Sequence, residues 1–399
     1  MIGAEQMPTR EQTRHQGEPA STRRFDGVDL LRGLSILSVV LLHGQLRLIY
    51  NNSISIKGLL PRWLFHLLFD NGGNGVTVFF AISGFLITLT SLRRFGSLAN
   101  IRPLTFYRIR FARIAPLLLL LLAVLSLLHL VHAQGFRIPS ERASLPRALV
   151  SALTFHLNWL EAMHGYLPAN WDVLWSLSIE EMFYLFFPLA CVLLLRWRHG
   201  MSVFVLLLLS FVAMGPFARV AWTTNPIWQN NSYLGGMSSI ALGCLTALVA
   251  DRLQSSNRIR HDARVLSIVQ IAGVLLMLLI IIWPPWSGMR LLGRIGVDNS
   301  VLGLGTCLFI LANVLRGRGG RAWSRPMRWL GRRSYEVYLT HEFVVVWMTA
   351  LYLRFQRGSP LVWIAAELLL CAPLGACVAR WYSEPMNRML RGAAPPTAA

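Results

Sequence analysis

The sequence predicts an all-α, polytopic membrane protein of about ten transmembrane helices, with both chain ends in the cytoplasm. Three observations carry that prediction. Hydrophobic residues make up 54% of the 399 and charged residues only 14%, whereas soluble domains carry about a quarter charged residues. The apolar runs LLLLLLAVLSLLHLV (117–131), FVLLLLSFVAM (204–214) and VLSIVQIAGVLLMLLIIIW (265–283) approach the roughly 20 residues that a helix needs to cross the hydrocarbon layer. The basic residues, nearly all Arg, fall between such runs, where they set orientation.

Apolar runs with polar boundaries give spans near 30–50, 75–92, 112–133, 174–195, 201–221, 235–250, 265–283, 297–315, 335–354 and 361–382. No internal repeat stands out. With the N-terminus inside, alternate loops collect roughly 25 basic residues on the cytoplasmic side and about 9 outside. The richest inner loops are RRFGSLANIRPLTFYRIRFAR (93–113) and RGRGGRAWSRPMRWLGRR (316–333), while the outer loop TTNPIWQNNSY (223–233) has no charge. Topology thus accounts for the net charge of +20, and no nucleic-acid partner is expected. The chain is expected in the cell inner (plasma) membrane, with the lipid bilayer as its first partner.

Residues 1–24 are polar and lack the apolar core of a signal peptide; they read as a flexible cytoplasmic tail. Residues 25–383 form the membrane domain, and 384–399 read as a second flexible cytoplasmic tail. The cysteines at 191, 244, 307, 371 and 377 sit in apolar stretches without metal-type spacing. They read as small packing residues, not as disulfide partners or zinc ligands. The longest outer segment, 134–173, leads into AMHGYLPANWDVLW (162–175). Its aromatic and amide groups suit sugar stacking and equally an interfacial belt.

A charge near the bilayer centre costs several kcal/mol, so ionisable residues inside spans are candidate functional groups. Four positions stand out: Arg32, His43, the Glu180–Glu181 pair and His341, with Asp29 and Ser83 as boundary or neutral companions. Arg32 and His43 are eleven residues apart, about 20° past three full helical turns and about 16 Å along the axis. They therefore share one face, with Arg32 at the cytoplasmic end and His43 in the outer half. Glu180 and Glu181 lie roughly two turns into their span from its outer end, as His43 does in its own, so an imidazole–carboxylate meeting is expected there. Only one of the two glutamates can face a given neighbour. Ser83 lies at a similar depth, where a Ser-Gly pair serves helix packing as well as a site. His129 and His132 sit at a span end without carboxylate or cysteine companions and read as interfacial; no metal site is expected.

Five stretches together resemble the acyltransferase family 3 of integral membrane O-acyltransferases, whose members modify glycans and other extracytoplasmic acceptors. DLLRGLSILSVVLLH (29–43) is similar to the family's opening helix, with an Arg, ten residues, then a His. GVTVFFAISGFLI (75–87) resembles the second-helix motif, RIRFARIAP (108–116) the basic R-x-x-R segment, WSLSIEEMFYLFFPL (175–189) the tryptophan-serine-leucine-serine-glutamate block, and SYEVYLTHEF (334–343) the late histidine helix. The resemblance covers about residues 25–383. It implies that His43 is the catalytic histidine, with Arg32 as its essential partner. It further implies that Arg110 and Arg113 lie near the phosphates of coenzyme A, and that Glu180 is the block's principal acid. Ala115, Met182 and Glu342 depart from the family pattern, and Glu342 weakens a specific role for His341. No esterase-type domain is expected after residue 383.

The expected reaction moves an acyl group, acetyl in the first instance, from cytoplasmic acyl-coenzyme A to a hydroxyl of an extracytoplasmic carbohydrate or lipid-linked glycan. Acetyl-CoA is a donor substrate, and no permanently bound cofactor is expected. His43 is expected to deprotonate the acceptor hydroxyl with Glu180 orienting it, with a covalent acyl-histidine as the alternative. A rival from another class is a proton-coupled secondary transporter of a polar solute, in which the His and Glu groups relay protons.

Overall fold

The computed structural model describes residues 25–52, 54, 56–221, 224–255, 262–282, 290–317 and 319–392. The expected tail over 1–24 and the last residues, 393–399, lie outside the described residues. Among the described residues every regular element is helical. Ten helices are long: α1 (Asp26–Asn52), α2 (Gly72–Phe95), α3 (Pro103–Leu130), α4 (Leu174–Leu194), α5 (Gly200–Ala221), α6 (Tyr233–Ser255), α7 (Ala263–Ile282), α8 (Asp298–Arg316), α9 (Ser334–Phe355) and α10 (Pro360–Val378). Their order matches the ten expected spans.

Nine of the ten are long and apolar enough to cross a membrane. The exception is α9, whose 22 residues include Glu336, His341, Glu342 and Arg354. At 1.5 Å per residue it still reaches roughly 33 Å, enough for the hydrocarbon layer. Its polarity is inward: Ser334, Thr340, His341, Glu342 and Thr349 are all buried. The span that falls short on apolarity therefore turns its polar groups into the protein interior.

Helix ends follow local chemistry. Pro103 and Pro360 stand in the first turns of α3 and α10, and the Ser359 side chain accepts from the Leu361 amide; proline is pre-set for that turn and Ser caps its free amides. Gly317 ends α8 in the left-handed conformation at φ 63°, which glycine adopts without cost. Beyond α10 the chain does not loosen into a tail at 384: Glu384–Arg391 forms a helix that packs on α3. Glu384 in its first turn and Arg388 and Arg391 in its last complement the helix dipole, and Gly392 stops it at φ 68°.

Lipid tails are as apolar as leucine, so association of these helices depends on close packing rather than on hydrophobic burial. Glycines provide it in reciprocal pairs. In the α2–α6 contact, a Cβ on Gly84 would strike the Ile240 carbonyl, and one on Gly243 would strike the Ala81 carbonyl. α1 crosses the short helix Arg325–Arg332 the same way, with Gly33 against Met327 and Gly331 against Asp29. Gly84→Ala is expected to destabilise the bundle by about 1–3 kcal/mol, the usual range for overpacking. The control Gly73→Ala meets open space and is expected to leave the thermal unfolding midpoint in detergent unchanged; equal midpoints for both variants would refute the close contact.

The segment before α4 sets the geometry of the site. Short helices Leu145–Leu153 and Leu157–His164 and the turn Ala169–Trp171 fold back into the bundle. Asn158, Glu161, Asn170 and Trp171 are fully buried. Asn170 Nδ2 donates to the Leu339 carbonyl of α9 at 2.8 Å, and Asn158 Nδ2 to the Asn231 carbonyl at 3.0 Å. α4 therefore starts not at the rim of the bundle but at the depth of Leu339. Trp171 is core, while Trp159 remains half exposed at the surface and meets Trp228 edge-on at 5.6 Å.

Candidate active site

The two polar side chains that share one face of α1 both meet α9. Arg32 Nε donates to Ser334 Oγ at 3.1 Å, and, three turns on, the His43 ring lies edge-on to that of His341 at 4.9 Å. Two sites result, one around each residue.

Around His43 the hydrogen bonds fix which nitrogen is the base. His43 Nδ1 lies 2.8 Å from the Val39 carbonyl, which can only accept, so Nδ1 carries a proton and Nε2 is the nitrogen that can serve as the base. His341 Nδ1 likewise faces the Tyr338 carbonyl at 2.8 Å, which leaves its Nε2 to accept from His43 Nδ1 at 3.4 Å. His43 Nε2 then faces Glu342 Oε1 at 3.7 Å. Arg47 holds the other oxygen of Glu342, with Nε donating at 3.0 Å and its terminal nitrogen 2.8 Å away. Glu342 is fully buried, and its Oε1 has no hydrogen-bond partner among the described residues. A proton arriving on His43 Nε2 would meet that oxygen. Asp172, two residues before α4, adds a second carboxyl group that acts on His43, Glu342 and Arg47. Behind it, burial and the neighbouring Asp172 push the Glu161 carboxyl well above the usual carboxylate range.

Glu180 is not the partner of His43. It lines the other site, with Arg32, Arg110 and Arg113, and the charges acting on it are those three arginines. The expected meeting counted depth from the start of α4 as though that start lay at the membrane surface. Because residues 157–173 tuck inward, two turns into α4 reach the half of the bundle that holds Arg32. Glu181, one residue on, faces Arg110 as well, with Oε1 unpartnered. Asp29, one turn before Arg32 on α1, lies 3.8 Å from Arg332 and also acts electrostatically on Arg32.

The second site is an open cavity at the arginine-rich end, bounded by α1, α2, α3, α4 and α9. Arg110 stacks over the Tyr184 ring at 3.7 Å, an arrangement suited to a guanidinium. Tyr184 is hydrogen-bonded to Ser83, so the Ser-Gly pair divides its work: Ser83 faces the cavity and Gly84 packs on α6. Tyr338 forms part of the cavity wall, its hydroxyl within 2.7 Å of Ser176 Oγ. The Tyr338 ring lies 6.0 Å from that of His341. One tyrosine thus separates the arginine-lined cavity from the histidine pair.

His43, His341 and Glu342 also place their ligand atoms within 4.8 Å of one another, a spacing that a divalent metal can use. Arg47 already neutralises Glu342 there, which opposes a second cation. His129, at the end of α3, is occupied by accepting from the Ile138 amide at 3.0 Å, and the five cysteines are unpaired.

Three members of the histidine site escaped the sequence reading: Arg47, Glu342 and Asp172. Arg47 had a signal, since it stands one helical turn after His43 on the same face. Glu342 had one in its charge within a span, but it read as a departure from a family pattern. Asp172 had none, because only the inward fold of its loop brings it near.

No solved structure matches the chain. An O-acetyltransferase, OatA, of Staphylococcus aureus is 25% identical over 394 residues, covering 92% of this chain and 58% of the relative. The putative peptidoglycan O-acetyltransferase YrhL of Bacillus subtilis is 27% identical over 366 residues, covering 86% and 51%. The peptidoglycan O-acetyltransferase OatA of Listeria monocytogenes is 24% identical over 364 residues, covering 86% and 53%. The chain thus spans about half the length of these curated relatives. The model of the acyltransferase domain family matches residues 25–379, from the residue before α1 to the end of α10, so both sites lie on matched helices: the chain belongs to the membrane acyltransferase family 3.

Proposed function

We propose that this chain transfers an acetyl group from acyl-coenzyme A, bound in the arginine-lined cavity, to a hydroxyl of a glycan on the opposite side of the plasma membrane. The observation that carries the reading is the succession along α1: three arginines around a cavity, then Tyr338, then a histidine whose Nε2 faces an unpartnered carboxylate oxygen. Guanidinium forks suit phosphate geometry, which supports a donor bound at the arginine-rich end. The excess of Arg in the loops at that end supports a cytoplasmic side for it. The names of the relatives point to a sugar hydroxyl of peptidoglycan as the acceptor. Family membership also favours this chemistry over a proton-coupled transporter.

The transfer balances as follows. His43 Nε2 takes the proton of the acceptor hydroxyl as its oxygen attacks the thioester carbonyl carbon. Glu342 Oε1 accepts the new Nε2–H and offsets the imidazolium charge. The carbon–sulfur bond breaks, and the coenzyme A thiolate takes the proton back from Nε2. Imidazole and carboxylate are then as they began, one ester formed and one thiol released. Glu180 belongs to the donor cavity in this scheme, where it faces Arg32, Arg110 and Arg113, and takes no part in the proton transfer.

The test uses proteoliposomes with acetyl-labelled coenzyme A on the arginine-rich side and soluble peptidoglycan fragments on the other. Alkali-labile label on the glycan is expected. Label that stays on coenzyme A, or glycan acetylated equally from a donor without coenzyme A, sinks the reading.

A further inference from the structure

Outside the cavity mouth the arginines continue. α2 ends on Arg93 and Arg94. The helix Glu384–Arg391 lies against α3, where Arg108 Nε donates to the Leu390 carbonyl at 3.3 Å. Its last residue, Arg391, faces the guanidinium groups of Arg113, Arg94 and Arg110. Four like charges from α2, α3 and the last helix converge where two of them, Arg110 and Arg113, line the cavity. Among the described residues no carboxylate forms an ion pair with any of the four. The carboxylates that do face them are Glu180 and Glu181 at Arg110 and Arg113, and Glu336 at Arg113; these lie on the cavity side. Arg110 also buries an Nε with no partner. Repulsion between Arg391 and Arg94, which form no ion pair with a carboxylate among the described residues, favours an anion bound between them.

The cavity lining orders these groups: half-buried Arg110 and exposed Arg113 line it, whereas Arg94 and Arg391, both exposed, lie outside the lining. A coenzyme A molecule with its thioester pointing inward presents its pantetheine first, its diphosphate next and its 3′-phosphate outermost. We infer that Arg391 and Arg94 form a second phosphate site at the cavity rim, which takes the 3′-phosphate of the donor and so selects coenzyme A over its dephospho form. This rests on the donor cavity proposed above. It assigns a binding role to a helix that lies beyond the matched family region, which ends at residue 379.

The experiment titrates the purified full chain, in neutral detergent, with coenzyme A and with 3′-dephospho-coenzyme A. Wild type is expected to bind coenzyme A about tenfold more tightly than the dephospho form, the equivalent of one charge-assisted contact. Arg391→Gln and Arg94→Gln are expected to lose that preference while binding dephospho-coenzyme A as wild type does, which also shows that they are folded. Arg391→Lys is expected to retain part of it. A preference unchanged in Arg391→Gln, or an equal loss for both ligands, overturns the assignment. Arg113→Gln separates the two levels: if it weakens both ligands while Arg391→Gln changes nothing, the donor cavity stands and the rim site falls. If wild type binds neither ligand, both fall. A parallel titration in nanodiscs with and without phosphatidic acid covers the other source of a phosphate monoester; a response of Arg391→Gln to that lipid and not to coenzyme A overturns the inference in favour of a headgroup site.

Discussion

His43→Ala, expressed in a strain that lacks the wild-type gene, is expected to leave surface glycan O-acetylation at the level of the empty strain. Two losses combine in that variant: the base itself, worth roughly 10²–10⁴-fold in rate, and the anchored geometry that holds Nε2 toward the reacting hydroxyl. The Val39 carbonyl at 2.8 Å and His341 at 3.4 Å restrain only the ring, and nothing on the alanine methyl substitutes for it. Donor binding is expected to survive, because Arg32, Arg110 and Arg113 lie around the cavity and not at His43. A variant that restores acetylation fully removes His43 from the chemistry; one that loses coenzyme A binding as well points to collapse of the bundle instead. The same purified protein tests the covalent alternative. With labelled acetyl-coenzyme A and no acceptor, direct transfer leaves the protein unlabelled, whereas acyl-histidine formation labels wild type and spares His43→Ala.

Glu342→Gln is expected to lower kcat by about ten- to a hundredfold, the worth of one charge-assisted hydrogen bond to the imidazolium, with the donor KM unchanged. The substitution keeps the shape of the side chain and one carbonyl oxygen for Arg47 while removing the negative charge that faces His43 Nε2 at 3.7 Å. Arg47→Ala separates charge from architecture. It strands a fully buried carboxylate, and breaking such a pair costs about 3–5 kcal/mol, so its thermal unfolding midpoint is expected to fall. Glu342→Gln should keep most of that stability. If Glu342→Gln instead runs at the wild-type rate while Glu180→Gln stops turnover with the donor still bound, the proton acceptor of the imidazolium has been misassigned.

Much of the architecture was legible in the sequence because lipid imposes it locally. Length and apolarity mark each span, and Arg placement orders the loops, without reference to anything distant. The shared face of Arg32 and His43 was legible for the same reason: both lie on one helix, and 100° per residue is enough. What failed was depth. The position of Glu180 in three dimensions depends on how far α4 starts below the surface, and that depends on the inward fold of 157–173, held by Asn170 against Leu339, 169 residues away. Glu342 failed for a related reason. Its partner Arg47 is 295 residues distant, and a carboxylate next to a histidine carries no mark of what lies opposite. Long-range pairing, more than helix formation, is the information a single sequence withholds here.

Tyr338 as a partition between a donor cavity and a histidine pair has an electrical consequence. Moving one elementary charge across a membrane potential of 100 mV is worth about 2.3 kcal/mol, enough to bias any step that carries net charge through the partition. In the proposed transfer an acyl group, formally a cation, passes outward as a proton passes inward from hydroxyl to thiolate. The two displacements cancel. A chain built this way delivers an activated group across an energised membrane without drawing on the membrane potential and without being slowed by it, so the thioester alone sets the direction of the reaction.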